Sequence, residues 1–195
     1  MLKNFIKIIT SKCEVIKLDN KIIVYPIFKN GSSSLDAYAY QNNLSRYYNR
    51  SISKFKNIMV FLREPNERFI SGVHTFFYHN YSQHIDKKVL ESIENFSVVD
   101  RHFVPQYFWL LHLFKHYKGF VDIRPVSDLY RLIPNRSGPW DHGPKWTPLT
   151  KKDKSKICEI NYEKYVNVDL KIIKKYMNKS VKLENIIKEF KNEVS

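Results

Sequence analysis

A chain of 195 residues that is 43% hydrophobic and 15% aromatic has material for one packed core, which excludes a disordered basic tail and a pair of full catalytic domains. Its 33 Lys and Arg against 19 Asp and Glu leave a net charge of +14, so an anionic partner is expected: nucleotide, sulfated or carboxylated glycan, nucleic acid or anionic lipid. No apolar run approaches the roughly 20 residues that span a bilayer, and lysines interrupt the first nine residues too often for a signal-peptide core. A cytoplasmic protein without a membrane span is the expectation. Cys13 and Cys158 stand apart with no zinc-ligand spacing, which suits two reduced thiols.

In chain order, residues 14–18 and 21–27 are β-rich runs flanking Asp19-Asn20, a hairpin turn by composition. Residues 21–28 are apolar enough for a central strand that Pro26 ends. Ser34 to about Tyr47 reads as a helix with Leu35, Ala37, Tyr38 and Leu44 facing inward. Residues 57–62 form a second buried strand. Pro65 then opens a helix whose apolar side is Phe69, Ile70, Val73, Phe76 and Phe77. A short helix near 87–93, a buried helix over 105–117 and a third strand over 120–125 follow, with Ser127-Asp128 capping a short helix to Ile133. Pro134 to Pro148 reads as a long loop. Thr150 opens a helical C-terminal part that runs to about Phe190 with a break near 178–180. Strands alternating with helices predict one three-layer α/β domain over residues 1–195 with a mainly parallel central sheet.

Two strand-to-helix junctions carry the chemistry, because ligands of parallel α/β sheets bind beyond the carboxyl ends of the strands. The first is Lys29-Asn30-Gly31-Ser32-Ser33-Ser34. Gly31 allows a tight turn that aims successive N–H groups at one anion, the helix start adds its positive end, and Lys29 adds a mobile charge. An ordinary connection with serine caps has the same composition. There is no Gly-Lys-Ser/Thr tail, so this is not a Walker A loop. The second junction starts at Arg63, whose planar head can grip a phosphate with two prongs. Ser71 follows six residues after Pro65, about 9 Å along a helix, and the small Ser71-Gly72 pair would let a ligand come close. Together the junctions suit a nucleotide phosphorylated at both ends of its ribose.

Both segments resemble the nucleotide-binding motifs of the sulfotransferases that use 3′-phosphoadenosine-5′-phosphosulfate. Residues 29–34 are similar to the loop that holds the 5′-phosphosulfate. Arg63 to Ser71 is similar to the Arg-x-Pro-x-x-Arg-x-x-Ser element, in which the first arginine and last serine grip the 3′-phosphate. Asp100-Arg101-His102-Phe103-Val104-Pro105-Gln106 and the stretch from Leu149-Thr150 to Asp169 resemble the carbohydrate-modifying branch, so the likeness spans about residues 22–175. It implies a P-loop-kinase-like α/β fold, no required metal, and sulfuryl transfer from that donor to an acceptor hydroxyl, on a glycan for this branch. Lys29 is then suited to meet the charge on the leaving phosphate oxygen, besides binding the donor with Asn30, Gly31, Ser32, Ser33, Ser34, Arg63 and Ser71.

In several members of that family a His or Glu between the two motifs takes the acceptor proton, but residues 36–62 contain neither, and Asp36 is the only acid there. His102 is the first candidate base, since its segment begins a helix that can return to the cleft and imidazole titrates near neutrality. A helix-start histidine that merely packs is the competing reading, and His74 and His79 are the fallbacks. Residues 135–146, with Arg136, Lys145, Trp140 and Trp146, form either a basic loop over the nucleotide or a surface loop pinned by its tryptophans. Two rival functions stay open: a small magnesium-dependent phosphotransferase or other nucleotide-binding protein, and a non-enzymatic basic polyanion-binding module, although no nucleic-acid motif is present.

Overall fold

The computed structural model describes residues 9, 12–82, 84–133 and 148–194. Strands β1 (Glu14–Lys17) and β2 (Ile23–Tyr25) form the expected hairpin, with Ile16 opposite Val24. The Asp19 carboxylate closes its turn by accepting the N–H groups of Lys21 at 2.6 Å and Ile22 at 2.8 Å. Pro26, which has no N–H to give a ladder, lies just beyond β2. Helix α1 (Ser32–Gln41) buries Leu35, Ala37 and Ala39 and stops earlier than its pattern suggests. Asn43 adopts a left-handed φ of 50°, and Arg46–Tyr48 becomes strand β3, antiparallel to β1.

β4 (Asn57–Leu62) pairs in parallel with β2, and β5 (Phe120–Pro125) in parallel with β4 over six residue pairs from Asn57–Phe120 to Leu62–Pro125. β6 (Ser180–Lys182) closes the far side antiparallel to β5, giving the order β3-β1-β2-β4-β5-β6. The expectation of a mainly parallel, P-loop-kinase-like sheet is therefore corrected: the sheet is mixed, and only the β2–β4 and β4–β5 pairings are parallel. The physical reason is connection length. A tight hairpin can join only antiparallel neighbours, whereas parallel neighbours need a long crossover. The three-residue strands β3 and β6 are too short to register in a hydrophobic pattern.

Alternation along the strands gives both sheet faces a core. Ile16, Val24 and Phe61 meet Leu35 and Ala39 of α1 and Leu129 of α5 (Val126–Leu132). Tyr25, Ile58, Val60, Leu62, Val121 and Ile123 point the other way into the larger core. There they are joined by residues of α2 (Pro65–Tyr81), α3 (Lys87–Glu94), α4 (Gln106–Phe114), α6 (Lys151–Ile157), α7 (Glu163–Tyr176) and α8 (Leu183–Phe190). Among the described residues, no helix is long and apolar enough to cross a membrane. The three central strands β2, β4 and β5 are mutually parallel and run into α1, α2 and α5, so three strand-to-helix junctions meet along one rim of the sheet.

Candidate functional site

The first junction is a tight loop. The Asn30 N–H donates to Ile27 O at 3.1 Å, and both Lys29 (φ 66°) and Gly31 (φ 78°) are left-handed. Such alternation turns backbone N–H groups toward a common point. α1 begins at Ser32 with no side-chain cap, so its positive end faces the loop. A Cβ on Gly31 would lie 3.0 Å from Leu129 Cδ2 and 3.2 Å from Tyr130 Cε1, so conformation and space both call for glycine.

Lys29, Gly31, Ser32, Ser33, Ser34, Arg63 and His102 open onto one cavity of about 470 Å³, which Phe28, Thr75, His79, Arg101 and Tyr130 complete. Three cationic side chains line it and no carboxylate does, among the described residues. The Lys29 ammonium donates to Thr75 Oγ1 at 2.8 Å, and the Thr75 hydroxyl donates onward to Ser71 O at 2.9 Å. Burial pushes the Lys29 pKa down to about 8, and the charges of Arg63 and Arg68 add to the effect. A bound anion would relieve that cost. The Arg63 guanidinium stands 3.7 Å from Glu67, an exposed pair that contributes little in water.

Two of the residues expected to bind the ligand do not line the cavity. Asn30 does not line the cavity; its side chain is buried and donates to Phe61 O at 2.8 Å and to Gln106 Oε1 at 2.6 Å. Ser71 is not among the lining residues either, and Thr75, one turn later on α2, brings the hydroxyl to the cavity instead. The neighbouring Gly72 admits protein rather than ligand. A Cβ there would fall 2.3 Å from His102 O and 2.9 Å from Phe103 Cα, so residues 100–105 cross α2 at this gap.

That crossing positions the base candidate. The His102 ring donates from Nδ1 to Asp100 Oδ1 at 2.5 Å, and the same oxygen accepts the His102 backbone N–H at 2.9 Å. Burial alone would raise the Asp100 pKa; the hydrogen bonds from His102 and the Arg101 charge hold it below the ordinary value. An ionised Asp100 favours the tautomer with its proton on Nδ1, in which Nε2 is the acceptor nitrogen. Phe28 meets the His102 ring edge-on at 5.6 Å, and His79 stacks on it at 5.6 Å. His79 also lines the cavity, whereas His74 is buried and does not.

A buried polar hub ties these parts together. Gln106 Oε1 accepts from Asn30 and from the Arg63 N–H at 2.9 Å, while its Nε2 donates to Arg63 O at 3.0 Å. Asp169 of α7 accepts the N–H groups of Gln106 at 2.6 Å and Tyr107 at 2.8 Å, which caps α4. Burial raises the Asp169 pKa to about 6, against the opposing charge of Arg68. Arg68 itself is buried and donates to Phe28 O at 3.2 Å and Val104 O at 2.6 Å. It braces the first loop against the segment that carries His102, a role unlike a surface pairing with Glu64 or Glu67.

Sequence reasoning passed over Phe28, Thr75, Arg101 and Tyr130 as lining groups, and Asp100 as the partner of His102. Thr75 had a usable signal, four residues after Ser71 on the same helix face, and Asp100 and Arg101 belong to the same short segment as His102. Arg136, Trp140, Lys145 and Trp146 lie outside the described residues. No family model, curated protein or solved structure matches the chain.

Proposed function

We propose that the protein is a sulfotransferase that moves a sulfuryl group from 3′-phosphoadenosine-5′-phosphosulfate to a hydroxyl of a carbohydrate acceptor. The observation that carries this reading is the convergence of Lys29, Ser32, Ser33, Ser34 and Arg63 on one cationic cavity beside the His102–Asp100 pair. The donor set fits a ligand anionic at separated points: a left-handed loop and helix start on one side, a guanidinium on the other. A volume of about 470 Å³ lies within the ordinary range for small-molecule pockets.

The bound donor supplies an activated sulfuryl group, whose transfer forms the acceptor O–S bond and breaks the S–O bond to phosphate, the phosphate oxygen keeping the electron pair. Ser32, Ser33 and Ser34 with the start of α1 hold the 5′ anion, and Arg63 holds the 3′-phosphate without the help of Ser71. Lys29 offers its ammonium where negative charge grows on the leaving oxygen. His102 takes the acceptor proton at Nε2, and Asp100 keeps that nitrogen free and steadies the imidazolium that results.

Thermal unfolding with 3′,5′-bisphosphoadenosine, 5′-AMP and ATP tests the reading. At a hundredfold excess over Kd, the bisphosphate should add about 2.7 kcal/mol, a rise on the order of 5–10 °C for a chain of this size. Arg63→Ala should abolish the rise. Equal stabilisation by magnesium-ATP would favour phosphotransfer. Heparin binding with a steep salt dependence, and no response to nucleotide, would favour the polyanion module.

A further inference from the structure

We infer that the acceptor is an uncharged sugar chain that lies in a trough along α1; naming it an acceptor rests on the sulfotransferase reading, the trough itself does not. Two further cavities, of about 330 and 240 Å³, share Glu14 and Asp36. The larger adjoins the cationic cavity through Ser33, the smaller through Phe28 and Ser32. α1 supplies one wall. Ser33, Asp36 and Tyr40 stand at helical spacings that share a face, about 10 Å from first to last at 1.5 Å per residue.

The chemistry of this trough differs from that of its neighbour. Among the described residues, the cationic cavity is lined by Lys29, Arg63 and Arg101 without a carboxylate. Along the trough, Glu14 and Asp36 are matched by Arg46 and Lys12, so its formal charge is zero. The Arg46 guanidinium donates to both carboxylates, at 3.0 Å to Asp36, which holds all three in place. Their side chains stay 25%, 43% and 29% exposed for Glu14, Asp36 and Arg46, so each still faces the opening.

Aromatic surface completes the recognition set. Tyr40 is 70% exposed, far more than a packing residue requires. Trp109 lines the smaller cavity and stacks on Phe28 at 5.2 Å. Its indole N–H is buried, so the residue meets the trough through ring surface. Fixed carboxylates accept sugar hydroxyls, the guanidinium donates to them, and aromatic faces take the C–H surface of the rings. A sulfated or uronic-acid chain would instead bring its anions against Glu14 and Asp36. Phe28 sits at the join, since it lines both cavities and touches the His102 ring. A hydroxyl passing Phe28 arrives at the base.

The test is an NMR titration of the full chain, without donor, using chitotriose, cellotriose and mannotriose beside a heparin hexasaccharide. At least one neutral trisaccharide should shift resonances of Tyr40, Trp109 and Asp36. Tyr40→Ala should weaken that binding tenfold or more, and Glu14→Gln should do the same in a variant whose amide spectrum stays folded. Three results would overturn the inference: no neutral sugar shifts these resonances, the heparin fragment shifts them instead, or Tyr40→Ala binds as tightly as the parent. Because no nucleotide is present, a failure here leaves the bisphosphate result untouched, and the reverse holds equally.

Discussion

The side-chain amide of Asn30 donates to Gln106 Oε1 at 2.6 Å, and through that one oxygen the first strand-to-helix junction is fastened to the second, because Oε1 also accepts the Arg63 N–H. Anion-binding loops on separate strands have no reason of their own to keep a fixed distance. Here a glutamine at the start of α4 sets it.

Gln106→Leu keeps the size of the side chain and removes every partner. Asn30 Nδ2 loses one acceptor, and the Arg63 N–H and C=O lose theirs. An orphaned buried group costs about 1–3 kcal/mol. Urea unfolding should show a loss of at least about 2 kcal/mol, with weaker bisphosphate binding in the fraction that remains folded. Unchanged stability would mean that the hub is ornamental.

Lys29 links binding to pH. Its folded pKa is about 8, below the ordinary 10.5, so between those values the unfolded chain keeps a proton that the folded one has released. Its contribution to stability therefore rises as pH climbs from about 8 toward 10.5. Anion affinity runs the opposite way, because the ammonium is lost as pH passes about 8. Calorimetry in buffers of different ionisation enthalpy should show proton uptake on bisphosphate binding near pH 8. Lys29→Met should remove both the uptake and the decline in affinity.

Asp100→Asn separates positioning from folding. An amide can still accept the His102 N–H, but it no longer anchors an imidazolium. The bisphosphate-induced thermal shift should stay at its parental size while kcat falls on the order of 10²- to 10⁴-fold, as for loss of a general base. His102→Ala should match it in kcat. A variant that loses nucleotide binding in parallel would show that the pair serves the donor instead.

Gly72→Ala adds one methyl group where residues 100–105 cross α2. The obstacle is backbone, 2.3 Å away, and cannot rotate aside. Destabilisation of about 1–3 kcal/mol is expected, on the scale of overpacking within a core, read as a drop in Tm. Because the crossing carries His102, activity should fall further than the folded fraction accounts for.

Much of this arrangement was legible in the residues. The runs at 57–62 and 120–125 became β4 and β5, and Pro65 does occupy the first turn of α2, with Glu64 capping it by accepting the N–H of Asn66 and Glu67. Lys29, the serines and Arg63 do meet at one cavity, as their places at the ends of neighbouring parallel strands lead one to expect. The hairpin of β1 and β2 was also legible, but β3 and β6 were harder to read, since three residues are too few to show an alternating pattern. Ser71-Gly72 shows another limit of composition. A small residue signals close approach without saying what approaches, and here it is the chain itself. Nor does an amide in a polar loop reveal that its partner lies 76 residues away, as Gln106 does from Asn30.

Asp169 caps the start of α4 from 63 residues downstream of Gln106. The brace between the two strand-to-helix junctions therefore depends on a carboxylate in α7, which the ribosome adds long after the loops it steadies. Translation that stops short of residue 169 yields a product in which Gln106 has lost its cap, and the tie between the two junctions is weakened.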